Sequence, residues 1–222
     1  MNSRKDDILK VALQLFNEKG IDSVTTRDIA KELKISLGNL TYYFPSKKDI
    51  VLAFAKQLAV AVEEALAINA SSKPAENILL DYFYQIETIF ITQFRYRFIV
   101  HKRYGEIISS FPEVQKFVQD FLKIRFASWE QLNKQLVKEK FAKPNLVEDS
   151  QANSYILNIL ALYWHQEFLI YSPDLTDRQK VQKALSIFFQ SYKPYLTQKG
   201  LDTINPLLIK LVPYQSENVI PK

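Results

Sequence analysis

The sequence predicts an all-α protein, with a small N-terminal bundle of three helices followed by a larger helical domain. Three observations predict it. Apolar residues recur at helical spacing from Ile8 to Phe189, and no alternating run reads as a convincing strand. Only four glycines occur in 222 residues, too few to punctuate an all-β fold. Prolines fall between the periodic segments, at Pro45, Pro74, Pro144 and Pro173, where each ends or breaks a helix. With 47% hydrophobic residues a core is assured, in one large domain or two small ones.

The bundle reads in order. Residues 3–19 form the first helix, with Ser3 and Asp6 as a capping box and Gly20 as the stop. Ile8, Ala12, Leu15 and Phe16 make its apolar face. Thr25 caps the second helix with Asp28 as reciprocal partner, and Ile29, Ala30 and Leu33 face inward. Lys34-Ile35-Ser36 is a tight turn, and Ser36 caps a third helix over 37–44. Pro45 ends it. The pair of short helices is a helix-turn-helix, braced by the first helix because helices of about eight residues are unstable alone.

The larger domain follows without a flexible linker. A helix over 46–70 starts at a Ser46–Asp49 box and ends at Ser71-Ser72-Lys73-Pro74. Residues 75–94 form an aromatic-rich helix, and 95–110 a shorter, mixed one. Ser110 and Glu113, with Pro112 early in the first turn, open a helix reaching Phe141. Asn145 and Glu148 cap a helix over 146–171, whose centre is apolar nearly all round and is expected to be buried on most faces. Thr176 and Gln179 cap the last long helix, over 177–192. Pro194, Pro206 and Pro213 mark a looser tail, with short helical turns near 201–211.

The helix over 37–44 has the chemistry to read DNA. In a helix-turn-helix the second helix lies in the major groove. Gly38 lets the backbone approach closely, Asn39 and Thr41 can contact base edges, and Tyr42 and Tyr43 offer hydroxyls at phosphate height. Thr26 and Arg27, opening the preceding helix, and Leu37 complete the candidate surface. Lys47 and Lys48 sit in the first turn of the next helix, the wrong end for cations by the dipole argument. An anion docking there, such as DNA phosphate, would remove the conflict. A three-helix bundle with no DNA role is the alternative.

The stretch resembles the DNA-binding domain of the TetR family of bacterial transcriptional regulators. Gly20, Thr25-Thr26, Ile29-Ala30, Ser36, Gly38, Leu40, Tyr43-Phe44 and Ser46-Lys47 match that family's pattern in order and spacing. Thr41 replaces a usual Tyr, and Lys34 a common Gly. The resemblance implies residues 1–50 as the DNA-binding domain. It implies residues 51–222 as a ligand-binding and dimerisation domain whose last two long helices pair with a second subunit. Tyr155, Leu162, Val181, Leu185, Phe188 and Phe189 are the candidate interface. The same helices could equally finish a monomer's core.

Composition narrows the rest. The chain has no cysteine, which excludes disulfides, Cys-based zinc sites and thiol sensing. A net charge of +5 fits a nucleic-acid partner mildly. Asp6, Asp7 and a periodic apolar pattern argue against a signal peptide. No run of about 18 uncharged apolar residues occurs, so a cytoplasmic protein without membrane contact is expected. His101 and His165 stand in no metal or hydrolase motif, and no phosphate loop or nucleophile elbow is present. No cofactor, metal or enzyme activity is expected. Phe54, Leu58, Tyr82, Ile86, Phe90, Tyr96, His101, Tyr104, Phe121, Trp129, Tyr163 and Trp164 are candidates for a pocket taking an unknown apolar or aromatic effector, with ordinary core as the alternative. Arg95, Arg97, Lys102 and Arg103 form either a solvated basic face or an anion site. The expectation is a homodimeric, ligand-responsive repressor on a palindromic double-stranded operator. The competing reading is a helical binding or scaffold protein that has lost specific DNA binding.

Overall fold

The computed structural model describes residues 4–67, 77–100, 104–109 and 111–211, and every regular element among them is helical. Three helices make the head: α1 (Arg4–Lys19), α2 (Thr26–Glu32) and α3 (Leu37–Tyr43). α1 buries Ile8, Leu9, Ala12, Leu15 and Phe16. Gly20 stops it at φ 81°, donating its N–H to the Phe16 carbonyl at 3.0 Å. The Ser3 cap lies outside the described residues.

α4 (Lys47–Ala67) leaves the head and α5 (Ile78–Arg95) runs back against it. The break expected at 71–74 lies outside the described residues. Asn77 caps α5, its Oδ1 accepting from the N–H groups of Leu79 and Leu80 at 3.1 and 3.0 Å. α6 (Arg97–Val100) and α7 (Tyr104–Ser109) replace the single mixed helix expected over 95–110. α8 (Pro112–Lys138) begins with Phe111 in the cap position and no side-chain cap bond. Glu113 reaches instead to Lys48, at 3.2 Å, and Ser110 lies outside the described residues.

α8 stops at Lys138, three residues short of the expected Phe141. Lys140 turns left-handed (φ 63°), and N–H groups of Lys140 and Phe141 bond back to Val137 and Leu136 at 3.0 and 2.9 Å, a Schellman stop. One turn, α9 (Asn145–Glu148), precedes α10 (Ser150–Tyr171). Pro144, not Asn145, occupies the cap position of that turn, and Asp149 separates the two pieces.

α11 (Asp177–Tyr192) opens with the expected Thr176–Gln179 capping box. The tail is more ordered than its prolines suggest. Thr197 caps α12 (Gln198–Leu208), which contains Pro206 and packs on α5. Gly200 is required there, because a Cβ would lie 2.3 Å from the Phe141 carbonyl oxygen.

Two cores result. The first joins the head to Val51, Phe54 and Ala55 of α4 and to Tyr96, Phe98, Ile99, Ile108 and Val114, so it runs across the boundary expected after residue 50. The second is built mainly from α5, α8, α10, α11 and α12. At its centre the Tyr82 hydroxyl donates to that of Tyr192 at 2.8 Å. Burial pushes both phenol pKa values upward, so both stay protonated.

Two expectations about packing are corrected. Val181, Leu185, Phe188 and Phe189, expected to face a second subunit, are buried within the chain, with Tyr82 packed edge-on to Phe188 and Phe189 at 6.1 and 5.7 Å. An amphipathic stripe needs a partner, and α5 of the same chain supplies it. Conversely, α10 is not buried on most faces: Tyr155, Ile156, Ile159, Tyr163, Ile170 and Tyr171 are all exposed. The side chain of Leu162 lies outside the described residues.

Candidate nucleic-acid interface

The head holds α3 rigidly by its caps and its core face. Asp28 accepts from the Thr25 N–H at 2.8 Å and from the Thr25 hydroxyl at 2.6 Å, while Thr25 Oγ1 accepts from the Asp28 N–H at 3.2 Å. These bonds to Thr25 hold the Asp28 carboxyl below its usual pKa. Lys34 sits left-handed at φ 56°. N–H groups of Lys34 and Ile35 bond back to Lys31 and Ala30, each at 3.0 Å, which fixes the angle between α2 and α3 with a second Schellman stop. Ser36 Oγ then accepts from the Asn39 N–H at 3.1 Å. Leu40 and Phe44 anchor α3 in the first core.

With Leu40 inward, the opposite face is set by helical geometry. Gly38, Asn39 and Tyr42 are exposed, and Tyr42 is 82% exposed. Its ring stands edge-on to Tyr43 at 5.1 Å, while Tyr43 is half-buried against the core. A Cβ on Gly38 would meet nothing closer than Ser36 Oγ at 4.0 Å. The fold itself therefore does not demand a glycine there. Leu37 and Thr41 are half-buried, and the Thr41 hydroxyl donates to the Gly38 carbonyl at 3.2 Å. In α2, Arg27 is exposed and Thr26 half-buried.

The two lysines that follow have protein partners. Lys47 Nζ donates to the carbonyls of Ile21 and Val24 at 2.9 and 3.1 Å, tying the start of α4 to the loop between α1 and α2. Lys48 Nζ pairs with Glu113 of α8. The Asp49 carboxylate meanwhile takes the Ser46 N–H and hydroxyl at 2.8 and 2.6 Å. The unfavourable position in the helix dipole is thus relieved from within the chain. A second bridge joins head and body: Asn17 donates to the Arg95 carbonyl at 2.9 Å and accepts from the Phe98 N–H at 3.1 Å.

A cavity of about 50 Å³ lies where α4, α5, α6, α8 and α10 converge. A water needs roughly 10–15 Å³, so the cavity as it stands has room for only a few waters. Of the expected pocket residues, Leu58 and Phe121 line it. Phe54, Tyr82, Ile86, Phe90, Tyr96, Trp129 and Trp164 are packed into the two cores, and Tyr163 is exposed on α10. His101 lies outside the described residues, as does the side chain of Tyr104. The space exists because Ala55 and Ala59 put small side chains one turn apart on α4, a signal that a search for large rings overlooks. Arg95 and Arg97 lie over the rings of Tyr96 and Phe94 at 5.6 and 4.9 Å; Lys102 and Arg103 lie outside the described residues. Among the described residues no helix is long and apolar enough to cross a membrane, and no cluster of His, Asp or Glu could hold a metal.

Comparison with known proteins agrees with this architecture. Residues 8–54 match the family described as bacterial regulatory proteins, tetR family. Residues 58–204 match a second, TetR, described as bacterial transcriptional repressor. The chain is 28% identical over 208 residues to the probable HTH-type transcriptional regulator YttP of Bacillus subtilis, covering 91% of this chain and 90% of that protein. It is 27% identical over 169 residues to the biofilm operon icaADBC HTH-type negative transcriptional regulator IcaR of Staphylococcus aureus, covering 74% of this chain and 84% of that one. A TetR-family transcriptional regulator from Marinobacter aquaeolei VT8 shares its fold, with TM-score 0.83 and 24% identity over 96% of this chain and all of that one.

Proposed function

The chain belongs to the TetR family of bacterial transcriptional regulators, and from that premise we propose that it is a cytoplasmic repressor. It binds a palindromic operator as a homodimer and is released by a small apolar or aromatic molecule. The observation that carries the proposal is the exposed face of α3. Gly38, Asn39 and Tyr42 present an open backbone, a base-reading amide and a hydroxyl on one side of a helix whose other side is fixed in the core. The exposed apolar face of α10 supports the dimer, since such a face is a natural two-fold interface.

Release would run through α4. Its first turn is tied to the head by Lys47, and Ala55, Leu58, Ala59 and Val62 line the cavity. A molecule parting α4 from α8 would move that first turn and shift the two α3 helices out of register. They must stay about 34–36 Å apart to enter successive major grooves.

A second reading, a helical binding or scaffold protein without specific DNA binding, draws on the internal partners of Lys47 and Lys48. The test is affinity for DNA upstream of the gene against scrambled DNA, across a salt series. A repressor prefers its own site and shows log affinity falling linearly with log salt. Equal, weak binding to both sequences favours the scaffold.

A further inference from the structure

We propose that Lys31 and Lys34, beside Arg27, hold the DNA backbone of the operator, in place of the two lysines that open α4. The inference rests on the DNA-binding reading above and assigns its phosphate contacts. Lys47 and Lys48 are engaged inside the chain. Lys47 Nζ lies 2.9 and 3.1 Å from the carbonyls of Ile21 and Val24, and Lys48 Nζ lies 3.2 Å from a Glu113 carboxylate oxygen. A cation so held must give up its partner before it takes a phosphate. Arg27, Lys31 and Lys34 are all exposed, and none of them forms a salt bridge among the described residues.

Arg27 and Lys31 stand four apart, so they share one side of α2, while Ile29 and Ala30 turn to the core. The acids Asp28 and Glu32 are also four apart and share a different side, and the Asp28 carboxylate is already bonded to Thr25. Charge on α2 is therefore segregated. Lys34 follows at the turn into α3, just before the Ser36 cap. It is left-handed, at φ 56°, a conformation that glycine takes freely and a residue with a Cβ resists. The turn needs that conformation for its bonds back to Lys31 and Ala30, but it does not need an ammonium group. In a helix-turn-helix whose second helix enters the major groove, the first helix crosses the DNA backbone. Cations along that helix, ending at the turn that leads to the exposed Gly38 and Asn39, match in charge the row of phosphates they would meet.

Labelled DNA from upstream of the gene is titrated with the full chain by fluorescence anisotropy across a salt series. Lys31→Gln and Lys34→Gln should each lower the slope of log affinity against log salt by about one unit for every head on the DNA. Both should weaken binding to operator and scrambled DNA alike and leave the ranking of single-base operator variants unchanged. Lys34→Arg should keep the wild-type slope. Lys34→Gly should flatten the slope as Lys34→Gln does, yet raise the midpoint of urea unfolding, because it relaxes the turn. Lys140→Gly is the control: it relaxes the left-handed lysine that follows α8, at φ 63°, and should raise the urea midpoint with the slope untouched. A steep wild-type slope that survives either glutamine substitution overturns the inference and leaves DNA binding standing. A slope lost in Lys34→Gly together with a lower urea midpoint marks a structural role and also overturns it. A wild type whose binding does not depend on salt overturns both this inference and the repressor reading.

Discussion

Asn39 and Lys47 illustrate how differently two polar residues of the head depend on context. Asn39 is exposed on α3 and has the amide geometry that pairs with adenine. Asn39→Ala should relax preference at one base pair by about 1–3 kcal/mol and leave the salt slope alone, as a series of single-base operator variants would reveal. Lys47 was legible only as a cation in an awkward place. Sequence spacing cannot show that a lysine 26 and 23 residues from Ile21 and Val24 folds back onto their carbonyls. Lys47→Ala should therefore lower stability towards urea by about 1–2 kcal/mol and weaken binding on every sequence. A salt slope reduced by about one unit at unchanged stability would instead put Lys47 on a phosphate. His165 gives a pH signature. Burial, with Lys180 and Arg97 nearby, lowers its pKa from 6.5 to about 4. Between those values the unfolded chain binds more protons than the folded one, so stability falls as pH drops. The loss should approach about 3 kcal/mol at most, and His165→Gln should flatten it in urea melts at pH 7 and pH 4.5.

Elements whose ends are set by local bonds were readable. Thr25, Ser36 and Thr176 cap α2, α3 and α11 as their spacing indicates, because a capping box is closed within four residues. Faces were not readable, because periodicity says that a stripe is buried without saying by what. The α11 stripe packs on α5 of its own chain, and α10, expected to be buried on most faces, exposes Tyr155, Ile156 and Ile159 within the single chain. This yields opposite expectations for two charge insertions. Phe188→Asp should unfold the larger domain, since removing a buried phenylalanine alone costs about 3–5 kcal/mol. Ile159→Asp, at a position 57% exposed, should leave helicity and melting of the monomer intact but abolish the dimer. Sedimentation with circular dichroism on both variants separates these outcomes. A monomeric wild type at high micromolar concentration would remove the α10 interface altogether. The short helical turns expected near 201–211 form one longer helix, α12 (Gln198–Leu208), that the prolines alone do not indicate. Pro206 stands inside the helix, and the Thr197 cap, in contact with Lys140 and Phe141, holds its start.

At the scale of the whole molecule, the helical class and the order of head and body followed from periodicity and punctuation. The way the parts communicate did not, since it rests on long-range contacts. Asn17 joins α1 to the α5–α6 junction, Lys48 joins α4 to α8, and α4 contributes to both cores. Coupling through such contacts is reciprocal. If an effector loosens DNA by about 5–150-fold, saturating operator must loosen the effector by the same factor. Titrations of the effector with and without operator should differ accordingly; equal affinities would mean that the sites act independently.

The proposed repressor is a two-fold dimer with its two α3 helices in successive major grooves of one operator. A hydroxyl-radical and methylation-interference footprint on DNA upstream of the gene tests it most directly. The expected pattern is two major-groove patches related by a dyad, with centres about 34–36 Å apart, and both should be lost at one base pair each in Asn39→Ala. A single patch, uniform protection independent of sequence, or a paired footprint unchanged by Asn39→Ala would contradict it.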